Sequence, residues 1–198
     1  MEDYVTLERS DDTMIVRFDR QGALNAFDQK MITELTDTAK LLAEDLTVRS
    51  VVLTGASAAF SSGIDLKDAQ NWDLEAMNDL EIRRRFYRGV RLCQAWEDLP
   101  QITIAAAEGM MVGAGCALGL ACDWRVLARD AYLFVPEVQV GLNLQWGALP
   151  RLVTLVGPAR AKEICLLGEK MSSDKALDWG LVSRLAEPGK SVDVALGL

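Results

Sequence analysis

Histidine is absent from this chain of 198 residues. Its absence excludes a Ser-His-Asp or Cys-His nucleophile system and removes the commonest ligand of zinc. Any proton transfer must therefore use a carboxylate, a lysine, a tyrosine or water. We expect neither a metal site nor a metal cofactor.

Cysteine is scarce and forms no recognisable motif. The four cysteines lie in apolar surroundings and lack the Cys-x-x-Cys spacing of a redox or metal site. Free cysteines in such surroundings pack as small apolar side chains. We therefore predict four reduced structural thiols, at Cys93, Cys116, Cys122 and Cys165.

Long apolar runs are also missing. The longest candidate, residues 109–122, is broken by glycines and is shorter than the ~18 to 20 residues that a membrane helix needs. We interpret it as a buried glycine-rich turn followed by a helix. The N-terminal residues 1–3 are acidic and lack the basic and apolar regions of a secretory signal. We predict a cytoplasmic protein with no membrane partner.

Basic residues are outnumbered, with 21 Lys and Arg against 29 Asp and Glu, which gives a formal net charge of −8. Binding to nucleic acid depends on a basic surface that neutralises phosphates. The composition therefore argues against a nucleic-acid partner.

Alternating strand and helix patterns predict one α/β domain over residues 1–198. Strands at residues 4–7 and 14–18 form a hairpin with its turn at 10–12, and Asp28 is the N-cap of the first helix. Further strands are predicted at residues 50–54, 101–107, 123–127 and 181–185. Further helices are predicted at residues 74–96, 114–120, 138–142, 146–155, 158–167 and 173–179.

Two glycine-containing segments are the candidates for a catalytic site formed by backbone N–H groups. The first clamp is Phe60-Ser61-Ser62-Gly63-Ile64-Asp65-Leu66-Lys67, and the second clamp is Gly109-Met110-Met111-Val112-Gly113-Ala114-Gly115-Cys116-Ala117. Gly63 allows a sharp turn after which an amide can face inward, and residues 113–115 place unpaired amides at a helix N-terminus. Such amides can stabilise a developing oxyanion.

These segments resemble those of the crotonase, or enoyl-CoA hydratase/isomerase, family. The resemblance also rests on residues 24–27, 121–123, 135–137 and 176–182, in family order and at family spacing. It implies a spiral of ββα units, an acyl-CoA substrate, no cofactor other than the CoA of the substrate, and a homotrimer or dimer of trimers. Residues 21, 22 and 144–148 depart from the family pattern. The chain also stops early for this family, so we expect the C-terminal helical region to be truncated.

Roles for individual residues follow from the resemblance. The peptide N–H groups of Ile64 and Ala114 are the expected oxyanion donors, and Glu137 is the expected acid/base. Apolar walls formed by Phe134, Val138 and Leu142 would raise the pKa of Glu137, although Pro-Glu is also an ordinary helix start. The expected contacts to the substrate or its CoA portion are Ala26, Phe27, Ser62, Gly63, Asp65, Leu66, Lys67, Gly113 and Trp146.

Several of these assignments have a structural alternative. Asp65 can cap its own turn, Lys67 can be a surface charge, and Trp146 can pack the core. The arginine cluster can be a solvated or subunit-facing stripe, or a landing surface for CoA phosphates. It comprises Arg83, Arg84, Arg85, Arg88 and Arg91.

Position 117 indicates the subclass. The resemblance implies that a hydratase carries a glutamate here, where this chain has Ala117. A single carboxylate can still isomerise a double bond by moving a proton between two carbons. Double-bond isomerisation is therefore preferred over hydration, unless Asp65, Asp68 or Glu108 substitutes. Hydrolysis or decarboxylation of a CoA thioester, and a non-catalytic CoA-binding or assembly subunit, remain alternatives.

Overall fold

A six-stranded sheet, with the first strand of the chain at one edge and the last strand at the other, forms the centre of the fold. The structure, a computed structural model, describes residues 3–198, with Ala23 described by its backbone alone. The strands are β1 (Val5–Ser10), β2 (Thr13–Phe18), β3 (Ser50–Thr54), β4 (Ile102–Ala107), β5 (Met110–Val112), β6 (Trp124–Ala128), β7 (Tyr132–Phe134), β8 (Met171–Ser172) and β9 (Arg184–Ala186). The helices are α1 (Gln29–Ala43), α2 (Ala69–Trp72), α3 (Asp79–Glu97), α4 (Ala114–Ala121), α5 (Ala148–Leu167), α6 (Ser173–Asp178) and α7 (Ser191–Leu196).

The topology is the predicted α/β spiral of strand and helix units. β1 and β2 form the predicted antiparallel hairpin, and the later pairs of the large sheet are parallel. β5, β7 and β8 form a second, three-stranded sheet. Parallel pairs need crossover connections, and α1, α3 and α4 with the segments around them supply these.

Several predicted boundaries are wrong for local reasons. The helix predicted over residues 74–96 begins at Asp79, because Asn78 and Glu81 form a reciprocal capping box. The strand predicted over residues 181–185 begins at Arg184, because the N–H groups of Leu181 and Val182 both donate to the carbonyl of Ala176. The predicted helix 138–142 is a 3-10 turn, Glu137–Val140. The sequence pattern does not predict β5, β7, β8 or α7.

The two helices predicted at residues 146–155 and 158–167 form one bent element, α5. Gly157 interrupts it with φ 77° and ψ 164°, immediately before Pro158. A positive φ of this size suits glycine and ends the regular helix locally. The prediction of two helical segments is therefore confirmed, although they are contiguous.

The core contains the predicted cysteines as free thiols. Burial raises the pKa of Cys93, Cys116 and Cys122 to about 12 each, which keeps these thiols neutral and unreactive. Cys165 is half-buried. Among residues 3–198 no helix is long and apolar enough to cross a membrane, and no cluster of His, Cys, Asp or Glu could hold a metal ion.

Candidate active site

Backbone hydrogen bonds bring the two clamps side by side. The N–H of Ser61 donates to the carbonyl of Met110 at 3.0 Å, and the N–H of Val112 donates to the carbonyl of Ser61 at 2.9 Å. A Cβ atom at Gly63 would lie 3.2 Å from the carbonyl oxygen of Val112 and 3.7 Å from the amide nitrogen of Ala114. Gly63, with φ 96°, therefore lies against the residue that begins α4.

The first predicted donor, the N–H of Ile64, faces away from its neighbouring strand-like segment. The carbonyl of Gly63 accepts from the N–H of Phe27 at 2.8 Å, and the N–H of Asp65 donates to the carbonyl of Phe27 at 2.9 Å. Because backbone groups alternate in an extended segment, the N–H of Ile64 points to the opposite side. It has no hydrogen-bond acceptor within the described chain.

The second predicted donor, the N–H of Ala114, opens the buried helix α4. Gly113 precedes it with φ 48° and ψ −109°, and all eight residues of α4 are buried. The N–H of Gly113 donates to the carbonyl of Phe134, and its carbonyl accepts from the N–H of Ala117. The N–H of Ala114 has no acceptor in residues 3–198 and lies at the positive end of the helix dipole.

Glu137 lies directly beside the second donor. Its Oε1 is 2.8 Å from the position that a Cβ atom would take at Gly113. Its Oε2 is buried and has no hydrogen-bond partner among the described residues. Burial raises the pKa of Glu137 above the usual value for a glutamate. A carboxylate with a raised pKa is better suited to take up and release a proton during a reaction.

The prediction that Val138 forms an apolar wall beside Glu137 is wrong. Val138 is 44% exposed, because the 3-10 turn places it on the surface. Leu142 does line the cavity of Glu137, and its N–H donates to the carbonyl of Glu137 at 2.8 Å. The carboxylate of Glu137 is nevertheless buried, and it packs against Gly113.

The two donors and Glu137 share a cavity of about 90 Å³. Ala117 also lines it, one helical turn after Ala114, and is 1% exposed. Position 117 therefore faces the same space as Glu137. The remaining lining residues are Gln29, Ile32, Asn71, Trp72, Arg85, Phe86, Gly89, Gly113, Leu142, Asn143, Leu144, Gln145 and Trp146.

The carboxylates considered as substitutes for position 117 have structural partners. Asp65 pairs with Arg20 at 2.6 Å, and its Oδ1 accepts from the N–H of Lys67. Burial alone would raise the pKa of Asp65, but the hydrogen bond from Arg20 and its charge bring it below the usual value. Asp68 caps α2, and Glu108 accepts from the N–H groups of Gly189 and Ser191 before α7. Within residues 3–198, Glu137 is the one carboxylate that lines the cavity.

Some predicted CoA contacts lie outside the cavity. Phe27 is fully buried and Ala26 is 7% exposed, so the Phe27 ring belongs to the core with Phe18. Leu66 and Lys67 are exposed on the surface, and Ser62 is half-buried. Contact between these residues and CoA stays a prediction.

Trp146 lies between the cavity and the core, and its contact with a substrate stays a prediction. It lines the cavity, and its ring packs edge-on against Phe27 with the centroids 5.6 Å apart. A Cβ atom at Gly89 would come within 2.0 Å of the indole, so a glycine in α3 makes this packing possible. The sequence pattern does not predict that Gly89, Trp72 and Arg85 line the cavity. A glycine inside a long helix was the available signal for Gly89.

Comparisons with known proteins agree with this geometry. The enoyl-CoA hydratase/isomerase family model matches residues 8–193. The short-chain-enoyl-CoA hydratase of Clostridium acetobutylicum is 31% identical over 192 residues, which cover 96% of this chain and 72% of that protein. The human mitochondrial Delta(3,5)-Delta(2,4)-dienoyl-CoA isomerase is 35% identical over 192 residues, which cover 92% of this chain and 58% of that protein.

The fold comparison gives the same result. The crystal structure of an enoyl-CoA hydratase from Bacillus anthracis matches with a TM-score of 0.89 and 28% identity, over 98% of this chain and 74% of that chain. The family model covers nearly all of the sequence, and the paired clamps and Glu137 lie within that match. The chain belongs to the enoyl-CoA hydratase/isomerase family of the crotonase superfamily.

Proposed function

We propose that the protein isomerises the double bond of an enoyl-CoA thioester through an enolate, with Glu137 as its single acid/base. The observation that carries this proposal is the convergence of two unpaired amides and one buried carboxylate on the same cavity. The amides belong to Ile64 and Ala114. Assembly as a homotrimer or a dimer of trimers rests on the family resemblance.

The two amides would hold the thioester oxygen as it gains negative charge. They are fixed by the backbone pairing of the clamps, so they need not reorganise during the reaction. A preorganised donor of this kind is typically worth ~3 to 4 kcal/mol in the transition state. The rest of the decrease in the activation barrier would come from proton transfer by Glu137.

The single carboxylate favours isomerisation. Glu137 would remove a proton from one carbon of the substrate and return a proton to another, so no attacking water has to be held. Hydration remains the second candidate, because the Clostridium acetobutylicum relative is named a hydratase and the human relative is named an isomerase. Those relatives are bacterial and mitochondrial, so the cytoplasmic location of this protein stays a prediction.

Replacing Glu137 by glutamine tests the proton-transfer role. Glu137→Gln keeps the shape of the carboxylate but removes its ability to accept a proton. We expect exchange of the substrate's α or γ protons with solvent deuterium to fall by at least ~100-fold, while CoA-thioester affinity changes little. Glu8→Gln, an exposed substitution on β1, is the control. Exchange that survives Glu137→Gln would show that another group moves the proton.

The raised pKa of Glu137 predicts an acid limb in the pH profile. Proton abstraction needs the ionised carboxylate, so the exchange rate should fall as the pH drops through the pKa of Glu137. Burial raises that pKa, so the inflection should lie above ~4.3, the value of an unperturbed glutamate. Deuterium exchange measured at a series of pH values checks this. An inflection at or below the unperturbed value would contradict the buried state of Glu137.

Introducing a carboxylate at position 117 should increase the rate of hydration. Ala117 faces the cavity next to Glu137, so Ala117→Glu would supply a second group to hold the attacking water. We expect crotonyl-CoA hydration to rise at least ~10-fold over a low starting rate, since positioned acid/base groups are typically worth that much or more. The matched control is Ala117→Gln, which adds the same bulk without a carboxylate. Efficient hydration by the unmodified protein would contradict the preference for isomerisation.

A further inference from the structure

Trp146 is held at the cavity in an unusual backbone conformation. Its φ is 58°, in the left-handed region that non-glycine residues rarely adopt, and its side chain is 9% exposed. The carbonyl of Trp146 accepts from Nη1 of Arg151 at 3.1 Å. Arg151 in turn forms a bidentate pair with Glu97 of α3, at 2.8 and 2.6 Å. The ion pair therefore fixes the turn that presents the indole to α3.

The indole N–H of Trp146 lacks an acceptor. The indoles of Trp72 and Trp96 donate to the backbone carbonyls of Asp65 and Leu35, both at 3.2 Å. No such bond exists for Nε1 of Trp146 within residues 3–198, although this residue is nine-tenths buried and lines the cavity. The nitrogen is not one of the fully buried side-chain atoms that lack a partner, so it is accessible from the cavity and available to an acceptor on a bound ligand.

A second donor residue, Arg85, lies one helical turn away on α3. Nε1 of Trp146 would be 2.1 Å from a Cβ atom at Gly89, so it lies directly against α3. Arg85 precedes Gly89 by four residues, shares its helix face and lines the same cavity. Its guanidinium donates to the carbonyl of Asp73 at 2.8 Å and has no carboxylate within ion-pair distance among the described residues.

Arginine charges lie close together along this part of α3. The pKa of Arg88 is lowered by burial, and then by the neighbouring charges of Arg85 and Arg84. In the described part of the chain, no carboxylate pairs with any arginine between residues 83 and 91. An anion at this wall of the cavity would reduce the repulsion and could accept hydrogen bonds from Arg85 and from the indole N–H of Trp146.

We propose that Arg85 and the indole N–H of Trp146 form a subsite for a carboxylate carried on the acyl group, away from the thioester. The inference rests on the proposed function, because it assumes that the thioester oxygen occupies the amides of Ile64 and Ala114. The substrate class is then an enoyl-CoA thioester with a second carboxylate. A purely hydrocarbon acyl group would offer no acceptor to the indole N–H of Trp146 and no charge partner to Arg85.

The test compares two substrates that differ only at the far end of the acyl group, and it follows how their rate ratio changes between variants. Glutaconyl-CoA carries a terminal carboxylate, and its methyl ester is the neutral partner. We expect the unmodified protein to favour the carboxylate at least about tenfold in kcat/KM for deuterium exchange, since hydrogen bonds to charged groups are strong. Arg85→Met should abolish this preference, and Trp146→Phe, which keeps a ring against Gly89, should reduce it.

Arg84→Met is the matched control on α3, since Arg84 does not line the cavity. A general effect of positive charge would lower the preference equally in Arg84→Met and Arg85→Met and would overturn the subsite. The ratio between the two esters cancels any contribution from the shared CoA portion. Thermal unfolding of each variant establishes that it is folded before the ratios are compared.

An equal or greater rate with the methyl ester, or a carboxylate preference that survives Arg85→Met, would overturn the inference. Either result leaves the proposed isomerase function intact, because the neutral ester would still exchange its protons through Glu137. Loss of exchange for both esters in the unmodified protein would instead contradict the proposed function itself, and with it the subsite.

Discussion

The pairing of Ser61 with the second clamp is the interaction on which the site depends. Two backbone hydrogen bonds, to Met110 and from Val112, fix the relative position of segments that are distant in the sequence. This pairing places the amides of Ile64 and Ala114 on one cavity. No side chain has to be correctly ionised for it to form, so the proposed oxyanion site is built from the backbone alone.

Glycines allow the backbone to adopt this arrangement. Gly63 and Gly113 have positive φ values, and each lies against a group of the site where a side chain would intrude. At Gly113 the space is taken by the carboxylate of Glu137, which is why the proposed acid/base and the second proposed donor can be neighbours. Gly89, which has no side chain, likewise leaves room for the indole of Trp146. Three glycines thus shape the cavity from three different elements.

Much of this arrangement could be predicted from the sequence, and the rest could not for physical reasons. The clamps and Glu137 are local motifs, so their residues were identifiable before their contacts were known. The exposure of Val138 depends on a 3-10 turn, and the short strands β5 and β7 depend on pairing with each other, so neither has a periodic signal. Arg85 and Gly89 lie on α3, whereas Trp146 lies in the turn before α5. The spacing of residues along the sequence does not reveal that these distant segments pack together at the cavity.

The position of a bound thioester tests the central claim most directly. A crystal structure with a non-reactive acyl-CoA analogue measures the distances from the thioester oxygen to the amide nitrogens of Ile64 and Ala114. The account predicts that both distances are about 3 Å, as hydrogen bonding requires, with the acyl α-carbon facing Glu137. A thioester oxygen that contacts neither amide, in a complex that binds in this cavity, would contradict it.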